Sequence, residues 1–258
     1  MLAVGRLNPA AFESDANLES LIRIAPFGVP PPRERAIASE PRVLFGGVYD
    51  WYDPILAIDA VALARESLPQ ISLTFTKHPN PSLTPQGKAA EAMQYVKKRG
   101  YESFVRFEPW FEYERRFEFF ERFALALLTF PQSLETELSM RTRVYDYLWG
   151  GLPILSSSAP GTDEILTCYR CGTVVHEPSA RAFADAMLYA FAQQNALRSG
   201  TRDFVRDHQW PDALQPLREF CREPRADVNK DAFAARLQVP ERPPSILARL
   251  KRRIGGAP

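Results

Sequence analysis

The stretch RTRVYDYLWGGLPIL, residues 141–155, sets side chains capable of chemistry at short spacing. Arg141 and Arg143 carry planar guanidiniums, each able to grip a phosphate through two parallel hydrogen bonds. Asp146 follows Arg143 by three residues, which at ~100° per residue leaves the two side chains about 60° apart round a helix, so both can face one crevice. A carboxylate one turn in from an anion site is placed to accept both hydroxyls of a ribose. The alternative for the same spacing is an Arg143–Asp146 surface ion pair worth under ~1 kcal/mol.

Further candidates occur upstream, each with a plainer alternative. Gly46-Gly47 permits close approach of backbone to a ligand, or only a tight turn, because a full GxGxxG is absent. Lys77-His78 offers a cation and an imidazole, or a solvated loop. Trp110-Phe111 offers a stacking surface, or core. Glu135 stands in the polar stretch PQSLETELS, residues 131–139.

The elements that must position these groups follow from the alternation of apolar runs with helical spacing. RVLFGG, ISLTFT, SFVRFE, LALLTF, PILSSS and GTVVH read as strands. Between them lie helical patterns over YDPILAIDAVALARESLP, PQGKAAEAMQYVKKRG with Gly100 as C-cap, YERRFEFFERFA, Met140–Gly150, GTDEILTC, and ARAFADAMLYAFAQQ. Strands alternating with helices predict an α/β fold, a Rossmann-like parallel sheet with helices on both faces and a helical C-terminal extension. In such sheets ligands sit outside the carboxyl ends of the strands, where all the candidates above fall. Ser139 is expected to cap the helix that carries Arg141, Arg143 and Asp146, adding free N–H groups to the anion site.

The bulk composition excludes other classes. The chain has 258 residues, 45% hydrophobic and 24% charged, with a net charge of +1. That suits a globular protein with one large domain or a domain plus an appendage, and offers no general case for a nucleic-acid partner. Any anion site must be local. Three cysteines are too few for a disulfide framework; Cys168 and Cys171 have the spacing of half a zinc or redox site without a second half, so they read as semi-buried thiols. No run reaches the ~18 apolar residues of a membrane span, and the first residues lack a signal-peptide core, so a cytoplasmic location is expected. SILARLKRRI near the C-terminus repeats apolar residues at helical spacing among basic ones, which fits either a weak membrane-surface contact or a solvated helix.

The organisation expected is a lead-in over 1–40, with a strand at Leu21–Ala25 and a Pro-rich linker, a Rossmann-like domain over 41–195, and a helical extension with a basic tail over 196–258.

The blocks ETELSMRTRVYDYLWGGLPIL, GTDEIL and CGTVV resemble the nucleotide-sugar-binding, C-terminal half of family-4 glycosyltransferases of GT-B fold. A subgroup with GG-x-x-x-W-x-DP, KHPN, W-x-x-Y-x-x-R and ET-x-x-S-x-RTR-x-x-DY-x-W-x-GLP in order is more similar still; here these are Gly46–Pro54, Lys77–Asn80, Trp110–Arg116 and Glu135–Pro153. The resemblance implies Asp146 as the ribose-binding acid, Arg141 and Arg143 on the diphosphate, Trp110-Phe111 at the base and Glu135 in the sugar region. Glu135 and Arg141 are thus the candidate catalytic residues, and Gly46, Gly47, Lys77, His78, Trp110, Phe111, Arg143 and Asp146 the candidate nucleotide-sugar-binding ones. Two departures stand out. The position eight before Asp146 is Leu138 where the family carries its first glutamate, and the basic pair that commonly follows the first strand is missing from GGVYDWYDP.

The function implied is that of a glycosyltransferase donor domain, hexosyl-transferring when paired with an acceptor domain on a separate chain. The nucleotide sugar would be its substrate, with neither cofactor nor metal implied. The alternative, from another class, is a non-catalytic binding or scaffold module that retains the fold. Residues 1–40 would be the remnant of the acceptor domain and its linker.

Overall fold

The computed structural model describes residues 13, 15–18, 22–35, 38, 40–77, 80 and 86–224. Six strands, β1 (Arg42–Gly47), β2 (Ser72–Thr76), β3 (Val105–Glu108), β4 (Leu125–Leu128), β5 (Ile154–Ser157) and β6 (Gly172–Val175), form one sheet in the order β3-β2-β1-β4-β5-β6. Every pairing is parallel. The helices are α1 (Pro54–Ala64), α2 (Gly87–Arg99), α3 (Arg116–Phe120), α4 (Leu134–Leu138), α5 (Arg143–Trp149), α6 (Pro160–Tyr169), α7 (Ala180–Ala192), α8 (Gln194–Asp207), α9 (Trp210–Ala213) and α10 (Gln215–Arg222). This is the Rossmann-like α/β fold expected from the alternation of strands and helices.

The sequence explains which strands are central. LALL of β4 and ILSS of β5 are buried throughout, as a strand covered on both faces must be. VRFE of β3 and GTVV of β6 are mostly half-exposed and take the two edges. From β1 the chain builds outward to β2 and β3, then returns to the other side of β1 for β4. Strand order therefore reverses between β1 and β4, which opens a crevice at their carboxyl ends.

Two acids at that rim serve helix starts. Asp53 Oδ1 accepts from the Leu56 N–H at 3.0 Å as N-cap of α1, with Pro54 in the first turn, a contribution of about 1 kcal/mol. The Asp53 N–H in turn donates to Thr129 O at 2.9 Å, tying α1 to the chain leaving β4. Asp50 Oδ1 accepts from the Lys88 N–H at 3.0 Å at the start of α2, whose own N-cap, Gln86, supplies no side-chain capping bond. At the far end of α2, Gly100 is left-handed with φ 70°, as expected of a C-cap glycine.

The structure departs from expectation in three elements. The segment Ile22–Ala25 has no regular structure where a strand was expected, and Ile22 and Ile24 are exposed. The helix expected over residues 113–124 is a 3₁₀ turn, Tyr113–Arg115, followed by the five-residue α3. Where it stops, Arg35 takes free carbonyls: Nη2 donates to Phe120 O at 2.9 Å and also to Phe123 O, while Nη1 reaches Gly150 O at 2.8 Å. The helix expected over Met140–Gly150 begins at Arg143, and residues 134–138 form a separate short helix, α4. Ser133 caps α4 by accepting from the Thr136 N–H at 3.2 Å; Ser139 is its extended C-cap and caps nothing after it.

The contacts divide the chain into a larger unit, Pro26–Leu214, and a second made of Met1–Ala25 with Gln215–Pro258. The larger holds the sheet and everything in the site below. The second contains α10, on which Leu217 and Phe220 are exposed and Glu219 pairs with Arg23 at 3.8 Å. The basic amphipathic stretch over residues 246–254 lies outside the described residues. Among the described residues, no helix is long and apolar enough to cross a membrane.

Candidate functional site

A cleft of about 550 Å³ opens over the carboxyl ends of β1 and β2 and is walled by the segments that follow β3 and β4. Of the residues singled out from the sequence, Gly46, Gly47, Trp110, Phe111, Glu135, Arg141, Arg143 and Asp146 all line it. Lys77 does not: its backbone pairs with Glu108 O and its side chain is exposed outside the lining. His78 lies outside the described residues.

The floor is set by an irregularity in β1. Its register against β2 slips between Leu44 and Gly46, and Gly46 has φ 83°, a left-handed conformation that glycine adopts readily. The slip turns Phe45 O away from the ladder, and α5 captures it: Tyr147 Oη donates to it at 3.0 Å and Arg143 Nη1 at 3.4 Å. A Cβ on Gly46 would fall on the Tyr147 hydroxyl, so this glycine is required by α5 itself. At Gly47 a Cβ would meet the Trp110 ring at 3.0 Å, so here the missing side chain admits an aromatic neighbour.

Arg143 is consequently part of the frame. Its Nη1 also donates to Gly47 O at 3.1 Å, and its guanidinium lies 4.5 Å from the Tyr52 ring centroid and 5.2 Å from that of Tyr49. Burial pushes the Tyr147 phenol up to about 12, against a smaller opposing pull from Arg143, so it remains a hydrogen-bond donor at any working pH.

Arg141 and Glu135 face each other across the gap between α4 and α5. Nη1 donates to Oε1 at 2.8 Å and Nη2 to Oε2 at 2.6 Å, a fork-to-fork pair, with the Ser139 hydroxyl adding a bond to Oε1 at 2.9 Å. Residues 139–141 lie outside both helices, and from there Arg141 reaches back to α4. Its side chain is buried against Phe130, whose ring centroid is 4.8 Å away, and Nε has no partner. The Arg141 bonds hold the Glu135 carboxyl below its ordinary value. The two candidate catalytic groups are thus ion-paired to one another.

Asp146 pairs with Arg116, and the short surface pair with Arg143 considered from the spacing does not form. Arg116 Nε donates to Oδ1 at 3.2 Å, and Oδ2 has no protein partner among the described residues. Arg116 is held for this by its bond to Tyr113 O at 3.0 Å and by the rings of Tyr113 and Trp149, at 3.9 and 4.7 Å. Burial raises the Asp146 carboxyl above its ordinary value, and Arg116 offsets this in part. Arg116 was not among the candidate site residues, although it ends the W-x-x-Y-x-x-R block; the block's spacing is the signal that could have found it.

The remaining wall is aromatic. Trp110 stacks on Phe111, centroids 5.0 Å apart and planes 11° from parallel, and Phe111 stacks on buried Phe119 at 4.4 Å. Tyr49 and Trp51 stack nearly face to face at 4.8 Å on another side of the cleft. Among the described residues, no three His, Cys, Asp or Glu side chains gather where they could hold a metal. Cys171 is buried, its thiol pushed up to about 12 by burial, while Cys168 is exposed.

No protein-family model matches the chain, and no curated protein matches it. Solved structures do. A Staphylococcus aureus TarM in complex with fondaparinux, alpha-GlcNAc-glycerol and UDP aligns with TM-score 0.60 at 12% identity, over 83% of this chain and 42% of that one. The pneumococcal O-GlcNAc transferase GtfA in complex with UDP and GlcNAc aligns with TM-score 0.59 at 13% identity, over 76% and 38%. HepE from Anabaena in complex with UDP-glucose aligns with TM-score 0.57 at 17% identity, over 70% and 48%. The likeness is one of fold: the sheet and its helices are the Rossmann-like fold of GT-B glycosyltransferases, and the chain spans less than half the length of each of these three.

Proposed function

We propose that the larger unit is the donor-binding, C-terminal half of a family-4 glycosyltransferase, taking a nucleoside-diphosphate sugar in the cleft. The observation that carries this is Asp146: a half-buried carboxylate at the switch-point crevice, with one oxygen fixed by Arg116 and the other unpartnered among the described residues. Such a group is set to accept the two hydroxyls of a ribose. Trp110, backed by Phe111, stacks the base. The diphosphate lies toward Arg141 and Arg143, and the sugar toward Glu135. Stabilising the leaving diphosphate lowers the barrier to transfer, since negative charge grows there in the transition state. Turnover requires an acceptor domain across the cleft; the three solved structures are all more than twice as long as the part matched here.

One observation favours a second reading, a binding module without turnover. Both terminal nitrogens of Arg141 are bonded to Glu135, so a diphosphate must compete with that carboxylate for them. Calorimetry of the full chain against UDP, GDP and dTDP and their sugars, with Asp146→Ala alongside, decides whether the cleft is a donor site. Saturable binding that the variant strongly weakens is the expected result, and the absence of binding at millimolar nucleotide would end the donor-site reading. Where binding is found, hydrolysis or transfer of the sugar separates the enzyme from the module.

A further inference from the structure

A second cavity, of about 530 Å³, lies between residues 32–35, the end of α5 and α8. Helix α5 separates it from the first: Asp146 and Tyr147 line the cleft, Leu148 and Trp149 this cavity. Four arginines, Arg33, Arg35, Arg198 and Arg202, share its wall with one carboxylate, Glu34. We propose that this cavity binds a phosphate monoester carried on a small apolar body.

The arginines are only partly committed to partners within the protein. Arg35 spends both terminal nitrogens on backbone carbonyls, leaving a buried Nε with no partner. Arg198, buried, makes only a long bond, 3.4 Å, to Arg35 O. Arg33 lies over the Phe117 ring at 4.5 Å, and among the described residues the Arg202 side chain has no hydrogen bond or ion pair. Among the described residues, none of the four has a carboxylate within salt-bridge distance. Burial, and after it Arg198, pushes the Arg35 guanidinium down to about 10, with Glu121 opposing; burial and Arg202 lower Arg198. Positive charge thus outnumbers negative on this wall, four guanidiniums to one carboxylate, and for the buried ones that is costly unless an anion offsets it.

The chemistry of that anion follows. Several guanidiniums that lack carboxylate partners call for more than one negative charge and for oxygens that match planar forks, and a phosphate monoester carries about −1.5 to −2 near neutrality. Trp149 and Val205 give the wall an apolar part, and the volume is that of a small-molecule site.

Phenyl phosphate is the probe, titrated into the full chain by calorimetry, with benzoate as the singly charged arm on the same body. Saturable binding of phenyl phosphate, weakened on the order of tenfold by Arg202→Gln and further by Arg33→Gln, is expected, since each removes a charged hydrogen bond. Both side chains are exposed, so both variants should fold, which thermal unfolding checks. Asp146→Asn, in the other cleft, should leave the affinity unchanged. No saturation, equal affinity for benzoate, insensitivity to Arg202→Gln, or loss with Asp146→Asn would each overturn the assignment. None of these outcomes depends on whether the nucleotide cleft is a donor site.

Discussion

The cleft holds two arginine–carboxylate pairs that differ in every respect that matters for binding. Between α4 and α5, Arg141 and Glu135 meet oxygen for nitrogen on both sides, and the pair draws the carboxyl below its ordinary value. Between α3 and α5, Arg116 touches one oxygen of Asp146 at 3.2 Å, and burial leaves that carboxyl above its ordinary value. The first pair is closed fork to fork and acts as a strut. The second is held open, its arginine positioned by two rings and a carbonyl so that the acid keeps a free edge. An ion pair at a cleft therefore identifies a binding group only when its geometry leaves lone pairs unspent.

The largest effect that would break this comparison is on nucleotide binding. Asp146→Ala removes two charged hydrogen bonds to a ribose, so UDP affinity should fall on the order of 100-fold, with Asp146→Asn costing about tenfold. Equal affinities for wild type and Asp146→Ala in calorimetry would show that the open edge is not used. Next is the support of that edge. Arg116→Ala leaves Asp146 half-buried without its cation and removes the stacking on Tyr113 and Trp149, at a cost of about 2 kcal/mol, below the ~3–5 of a fully buried pair because Asp146 keeps access to water. Urea denaturation measures it, and a change under ~0.5 kcal/mol, the ordinary effect of a surface substitution, would mean the pair is ornamental. A smaller effect should have the opposite sign. Glu135→Gln releases Arg141 to a diphosphate, so UDP binding should tighten by a few-fold, in line with the under ~1 kcal/mol of a part-exposed pair. Weaker binding in that variant would place Glu135 on the ligand directly and remove the strut from the comparison.

How far the sequence carries this arrangement depends on the range of each interaction. The strands and the Gly100 cap are local: apolar runs, turn residues and a left-handed glycine speak for themselves, and the six strands fall where expected. The gathering of eight candidates in one cleft follows from topology, because strand ends in a parallel sheet share a rim. What the sequence does not disclose is partner choice. Spacing alone pairs Asp146 with Arg143, three residues away, yet β1 bulges, Phe45 O is freed, and Arg143 is drawn 98 residues back along the chain to it, leaving Asp146 to Arg116. The helix expected from Met140 starts later in a similar setting: Ser139 has good capping chemistry, but its hydroxyl and the Arg141 guanidinium are both bonded to Glu135. Likewise the carbonyl left free at the end of α3, that of Phe120, is taken by Arg35, 85 residues away.

The smallest effect expected is in pH dependence, and it separates the two pairs by sign. Glu135 has its folded value lowered, so its contribution to stability is present above the unfolded carboxyl value and is lost as pH falls through the lower folded one. Asp146 has its folded value raised, chiefly by burial; folding favours its neutral form, so its contribution is present at acid pH and is lost as pH rises through the raised value. Relative to wild type, Glu135→Gln should therefore cost most at neutral pH and nothing in strong acid. Asp146→Asn, which keeps a neutral side chain in place, should be tolerated least differently in acid and should gain on wild type toward neutral pH, to the extent that desolvation outweighs the single bond from Arg116. Denaturation midpoints of the three proteins across the carboxylate range give two difference curves. If both slope the same way, the open and closed pairs are one kind of contact, and the free edge of Asp146 has no electrostatic signature.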